Sequence, residues 1–184
     1  MLKSISCLAL VLFLASSCSP SLKNLKEFDL SSEEKRSWKT FTSDQLNLSL
    51  KHPPETTAKD SDDLKDAVYI YNSEQKNGTL RLNMIIKPYD VEGNLQEIGD
   101  NMVEGTSSSF NYSRVRSGLI DYGRKKAYVH EYSTSDFIGT STSHYQLLYP
   151  MDGQMMLSNM SALSGNYYPA RKKMLKILRT LEVK

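Results

Sequence analysis

Apolar and polar positions divide the chain into an apolar run, a polar stretch, and a long region where period-two alternation is interrupted twice by helical spacing. The apolar run is Ile5 to Ala15, preceded by Lys3 and followed by Ser16 and Ser17. It is too short for a spanning helix, which needs about 20 residues. Residues 19 to 37 are polar and lysine-rich with few large apolar groups, which predicts a flexible tether containing one helical turn started by Ser31-Ser32-Glu33-Glu34. A coil of about 19 residues has a mean reach on the order of 25 Å.

Alternation begins at Leu46, Leu48 and Leu50, which predict a half-buried strand ending at His52-Pro53-Pro54. Strands over 67–73 and 79–87 flank Asn77-Gly78, a hairpin signal, with Leu80, Leu82, Met84 and Ile86 on one face. Asn94 is placed to cap a helix reaching about Ser108, with Glu97 as its reciprocal partner, and Leu95, Ile98 and Met102 form its apolar stripe. Strands follow near 112–119, 126–136, 141–149 and 154–163, punctuated by Gly123, Gly139 and Asp152-Gly153. A last helix starts at Asn166, with Pro169 tolerated in its first turn. Ala170, Met174, Ile177, Leu178 and Leu181 line its apolar face.

The N-terminal pattern reads as a secretory signal. Leu14-Ala15-Ser16-Ser17-Cys18 resembles a lipobox, in which the cysteine becomes the first mature residue and carries lipid. The expected organisation is a signal peptide over 1–17, a lipidated N-terminus and tether over 18–38, and one domain over 39–184. The covalent groups expected on Cys18 are a diacylglycerol and an N-acyl (palmitate) chain, because one acyl chain alone gives only marginal membrane binding. Ser19, rather than an aspartate, follows the cysteine, which favours the outer over the inner membrane.

Charge is nearly balanced, 23 basic against 21 acidic residues, so no global field points to nucleic acid. The two cysteines are Cys7, inside the signal, and Cys18. The mature domain is therefore expected to have no disulfide, thiolate metal site or cysteine nucleophile. Eleven tyrosines and eight methionines supply much of the bulk available for a core. Beside a lipobox, the Asn-x-Ser/Thr triplets at Asn47, Asn77, Asn111 and Asn159 read as chance.

The layout resembles the Mog1/PsbP superfamily. Residues 46–55 (LNLSLKHPPE) are similar to its opening strand, 93–105 (GNLQEIGDNMVEG) to its leucine-led helix, 123–133 (GRKKAYVHEYS) to a turn and alanine-aromatic strand, and 166–183 (NYYPARKKMLKILRTLEV) to its closing helix and short final strand. His52-Pro53-Pro54-Glu55 departs from the pattern, in which an aromatic often follows the first proline. The resemblance implies an α+β fold: an αβα sandwich with a mainly antiparallel sheet and two principal helices. Its members do different things, among them assisting the oxygen-evolving complex, binding a small GTPase and serving as envelope lipoproteins, so it implies no particular activity.

Candidate chemistry is sparse. His52, His130 and His144 show no metal-ligand spacing. A simple hairpin closed at Phe137–Thr140 sets His130 opposite a residue near Leu147 and His144 opposite one near Ser133, on different faces. No G-x-S-x-G occurs, and Ser107–Ser109 fall at a helix end. Asp60-Ser61-Asp62-Asp63 lacks the glycine and terminal glutamate of a calcium loop and reads as a solvated turn. Tyr128, His130 and Tyr132 share one strand face, and Tyr145 and Tyr149 share a face of the next strand. If those faces coincide, the five form an aromatic binding patch; the competing expectation is that the final helix covers it. Arg171, Lys172, Lys173, Lys176 and Arg179 give that helix a basic face, solvated or turned to an anionic membrane.

The expected protein is therefore a membrane-anchored envelope lipoprotein, a non-enzymatic binding or assembly accessory without cofactor or metal. Its expected partners are the membrane, through its lipid, and an envelope protein. The alternative is a sugar or lipid carrier using the tyrosine-lined face.

Overall fold

The computed structural model describes residues 28–64, 66–72, 83–89, 93–151 and 154–183. The expected signal peptide, Cys18, the tether up to residue 27, the Asn77-Gly78 turn with Leu80 and Leu82, and Asp152-Gly153 lie outside these residues.

A seven-stranded antiparallel sheet organises the molecule. Its strands are β3 (Thr57–Asp60), β4 (Val68–Tyr71), β5 (Asn83–Pro88), β6 (Ser113–Tyr122), β7 (Lys125–Ser135), β8 (Ser141–Met151) and β9 (Gln154–Leu163), in spatial order β3-β4-β5-β9-β8-β7-β6. A smaller antiparallel sheet joins β1 (Lys39–Ser43), β2 (Leu48–His52) and β10 (Glu182–Val183) in the order β1-β2-β10. Helix α2 (Leu95–Ser107) packs on one face of the large sheet and α3 (Tyr167–Arg179) on the other. The arrangement is the expected αβα sandwich with two principal helices.

The α3 side holds the main core. Met174, Leu175, Ile177 and Leu178 meet Ala127, Val129, Leu147 and Met160 from the sheet and Leu48 and Leu50 from β2, all buried. Each such side chain contributes about 1.5–3 kcal/mol of burial free energy. On the other side, Ile98 and Met102 of α2 cover Tyr128, Leu148 and Leu157 in a second, smaller cluster. Asn94 caps α2, its Oδ1 accepting from the Glu97 amide at 3.0 Å. A Cβ built on Gly99 would stand 2.2 Å from Cγ of the Tyr128 ring, so the α2 backbone rests directly on that ring.

The tether expectation is corrected at its C-terminal end. Residues 28–38 belong to the folded body: Phe28, Leu30 and Trp38 are buried in the main core. The expected helical turn forms α1 (Ser32–Ser37), with a complete Ser31–Glu34 capping box. Three apolar side chains spaced along a polar segment suffice to dock it.

The basic face of α3 is also not free. Arg171 donates to Glu131 Oε1 at 2.6 Å, Lys176 to Glu34 at 2.6 Å and Arg179 to Asp29 at 2.9 Å, and Lys173 pairs with Glu55. The acids that compensate this helix come from α1, the segment before it, the β2–β3 connection and β7.

Strand β6 forms one edge of the large sheet. Its register against β7 slips between Arg114 and Arg116, a bulge at Val115, and Gly118 follows at φ +139°.

Candidate functional site

Register across the sheet sorts the α2-side residues into rows running perpendicular to the strands. The lowest row, Leu119, Tyr128, Leu148 and Leu157, lies under or beside α2. The next contains Ser117, His130, Gln146, Asn159, Ile85, Tyr69 and Lys59. Above it come Arg114, Tyr132, His144, Ser161, Tyr71 and Thr57, and at the top Thr134, Thr142 and Leu163. An apolar row thus recruits the helix, and polar and aromatic rows continue beyond it.

The proposed five-residue patch is divided by this register. Tyr128 pairs with Leu148, His130 with Gln146 and Tyr132 with His144. Tyr145 instead stands opposite Glu131, and Tyr149 lies four residues further on the same face. Tyr128, His130 and Tyr132 therefore face α2, while Tyr145 and Tyr149 face the α3 core, where both are buried. The reason is one residue of loop. The β7–β8 connection is closed by the pair Ser135↔Ser141, leaving residues 136–140 as a five-residue loop instead of four. A one-residue change in register moves every side chain to the other face. The same slip corrects the histidines: His130 and His144 share a face.

On that face His130 is fully buried and both ring nitrogens are engaged. Nδ1 donates to Gln146 Oε1 at 2.8 Å, and Nε2 accepts from the Tyr112 hydroxyl at 2.9 Å. Burial lowers its pKa, outweighing the Gln146 bond, and keeps it neutral. Tyr132 stacks on His144 with ring centroids 4.4 Å apart and planes 7° from parallel, and on His130 at 4.6 Å. His144 Nε2 bonds the Thr134 hydroxyl at 3.0 Å; burial, then the neighbouring His130, lowers its pKa. Burial pushes the Tyr132 phenol up to about 12. The result is a neutral aromatic stack whose two histidines are held by Gln146, Tyr112 and Thr134. Tyr128 is spoken for as well: its hydroxyl donates to Asp100 at 2.6 Å.

Beyond the stack the sheet is open. A groove of about 520 Å³ is lined by Phe110, Tyr132, Phe137, His144, Thr134 and Thr142. A second, of about 600 Å³, is lined by Tyr69, Tyr71, Ser161, Leu163, the Lys59–Asp62 pair and again Thr142. Thr142 joins the two, and Leu163 is its direct partner on β9. At the outer lip, Phe137 and Ile138 are 90% and 88% exposed. Asp136 fixes that turn, its Oδ1 accepting from the amides of Ile138 at 3.0 Å and Thr140 at 2.7 Å, with Gly139 at φ +84°. The Phe110 ring lies 4.5 Å from that of Phe137.

Sequence reading missed Phe110, Phe137, Tyr69 and Tyr71, and set His144 on a different face from His130. The available signal was Asp136-Phe137-Ile138-Gly139, two apolar residues set between an Asx-type cap and a glycine, where the chain must turn at the surface.

The α3 face has its own polar cluster. Glu131, 4% exposed, accepts from Arg116 Nε at 2.5 Å, Arg171 Nη1 at 2.6 Å and the Tyr167 hydroxyl at 2.7 Å. Burial raises its pKa, but the Arg116 and Tyr167 hydrogen bonds and the two arginine charges prevail and hold it low. Among the described residues, Arg116 Nη1 and the Tyr145 hydroxyl beside it are buried without a partner. No group of three potential metal ligands and no helix long and apolar enough to cross a membrane occurs among the described residues. Asp62, in the acidic turn, pairs with Lys59 at 2.9 Å.

Comparison with solved structures decides the fold type. Cyanobacterial PsbP (CyanoP) from Synechocystis sp. PCC 6803 superposes with a TM-score of 0.57 at 10% identity, over 80% of this chain and 93% of that one. The fold is Mog1/PsbP-like. A protein from Bacteroides thetaiotaomicron VPI-5482 gives 0.56 at 13% identity over 80% of this chain. This PsbP-like chain spans about half of that protein, 49% of its length. LpqN of Mycobacterium tuberculosis, described as involved in cell envelope biogenesis, gives 0.48 at 10% identity over 83% of this chain and 95% of that one. No family model and no curated protein matches the sequence.

Proposed function

We propose that this chain is a lipid-anchored envelope protein acting as a non-enzymatic binding accessory, with the open half of its sheet and the β7–β8 tip as the binding surface. The observation that carries the reading is the tip. Phe137 and Ile138 stand nearly fully exposed on a turn tied down by Asp136. Burying each apolar side chain against a partner would return about 1.5–3 kcal/mol. A fixed turn loses little entropy on binding. The histidines favour binding over proton transfer, because His130 spends both nitrogens inside the fold.

The enclosed carrier formed by Tyr128, Tyr132, Tyr145 and Tyr149 has no support. These residues are split between two faces, and Ile98, Met102 and Gly99 of α2 occupy the space over Tyr128.

The proposed anchor would hold the domain from the end opposite the tip. Asp29, at the start of the described chain, is pinned by Arg179 at the end of α3, near the β6–β7 turn. The exposed tip is at the other end of β7, ten residues away, or roughly 33 Å along a strand. A chain held at its N-terminus can therefore present the tip away from its attachment point.

Two measurements test the reading. Cys18→Ala should move the chain from the membrane to the soluble fraction; equal membrane retention refutes the anchor. Crosslinking in membranes should join the wild-type chain to a defined protein and lose that product in Phe137→Ser/Ile138→Ser. A product unchanged by the double variant removes the tip from the binding surface.

A further inference from the structure

We infer that the continuous groove across the open sheet face binds a linear, uncharged glycan lying perpendicular to the strands. The inference rests on the binding-accessory reading and names a ligand class for the same surface. Three features single this ligand out.

The first is shape. The groove crosses β7, β8, β9, β5 and β4 and, at about 4.8 Å per strand, runs roughly 19 Å. Its two halves meet at Thr142, so it suits an elongated ligand rather than a compact one.

The second is lining. Aromatic rings stand at both ends, Phe110, Phe137 and His144 at one and Tyr69 and Tyr71 at the other, with the hydroxyls of Thr142 and Ser161 between them. A sugar ring offers apolar C–H faces to aromatic platforms and hydroxyls to polar ones, which is the pairing this alternation provides.

The third is charge and backbone. Lys59 is paired with Asp62, Oδ1 of Asp136 is held by its own turn, and Asp63 adds a further carboxylate to the lining. Among the described residues that line the two grooves, no Lys or Arg is left unpaired to hold a phosphate or sulfate, which favours a ligand without anionic groups. The strands beneath the groove have neighbours on both sides, so an extended peptide cannot add there as a further strand. Recognition must come from side chains, as glycan recognition does.

The test titrates the full-length chain, extracted from membranes in detergent, against an array of neutral linear α- and β-linked oligosaccharides from one to six sugar units. At least one series should bind, with affinity rising by about tenfold or more from the monosaccharide to the longest member. Phe137→Ser at one end and Tyr71→Ser at the other should each weaken the longest member by about tenfold, and Thr142→Lys at the junction should abolish binding. Melting temperatures must stay at the wild-type value for these comparisons, and Phe137→Ser, at an exposed tip, supplies a readout that folding cannot confound. Binding to no array member, equal binding at all lengths, preference for charged glycans, or affinity unchanged in both end variants overturns the inference. Capture of an extended peptide in the groove, blocked by Thr142→Lys, overturns it equally. Loss of the protein crosslink in the tip variant without any glycan binding would leave the accessory reading standing and remove this one.

Discussion

The two faces of the large sheet are built from the same strands yet finished differently. On one, α3, the small sheet and the docked N-terminal segment seal an apolar core with Glu131 bound by two arginines and a tyrosine. On the other, α2 covers the row around Tyr128; His130, Gln146 and Tyr132 are buried beyond it, and the outer positions, from His144 and Tyr71 to Thr134, Thr142 and Leu163, are only half-buried. Alternation along a strand would permit two equal cores, one on each face. Here one face holds most of the apolar core, which leaves the outer part of the other available for the contact proposed above.

The largest effect should come from the sealed face. Glu131→Ala removes a buried acid and leaves the half-buried Arg116 and Arg171 beside each other without it, which should cost about 3–5 kcal/mol. Urea unfolding of the variant reads this directly; a loss below 1 kcal/mol would show that the cluster is solvated and the face less closed than described. On the covered part of the other face, Gly99→Ala drives a methyl group into the Tyr128 ring. Overpacking of this kind should cost about 1–3 kcal/mol, and an unchanged melting temperature would mean that α2 floats over the sheet.

Acid should act next, on histidines at both faces. Burial lowers the pKa of His130 and His144 on the α2 side and of His52 beside the small sheet, all from 6.5. Their unfolded forms bind protons first, so stability is fully present above about pH 6.5 and falls as pH drops below it toward the folded values. The urea midpoint should therefore decline from pH 7.5 to pH 5.5, with the His130 and His144 ring resonances titrating below those of a model peptide. A midpoint that rises on acidification contradicts the neutral stack. Smallest of all, Phe137→Ser should leave stability within about 0.5 kcal/mol of wild type, since its ring is 90% exposed. A larger loss would mean that the tip supports the fold and is not reserved for contact.

Most of the fold was legible because its signals are local. Leu48 and Leu50, Met84 and Ile86, and Met174, Ile177 and Leu178 repeat at the periods their elements require, and all are buried as the pattern predicts. The site was less legible because it depends on register, which is set by the length of a single loop. Counting residues 137–140 as the loop exchanged the faces of β8, joined Tyr145 to the wrong neighbours and hid the His130–Tyr132–His144 stack. Phe28, Leu30 and Trp38 escaped for another reason: no periodicity marks a docked segment, and only the core it meets shows that those side chains have somewhere to go.

Strand β6 has a consequence for life at high local density. A ten-residue outer strand carrying Val115 and Leu119 at its exposed positions is long enough to recruit the same strand of another copy. Chains confined to a membrane surface, as proposed here, meet one another far more often than the same number in free solution. The Arg114/Arg116 irregularity and the unusual backbone at Gly118 break the straight row of amides such copying would need. On the proposed membrane surface such a break in the edge would disfavour the zipping of neighbouring sheets into one.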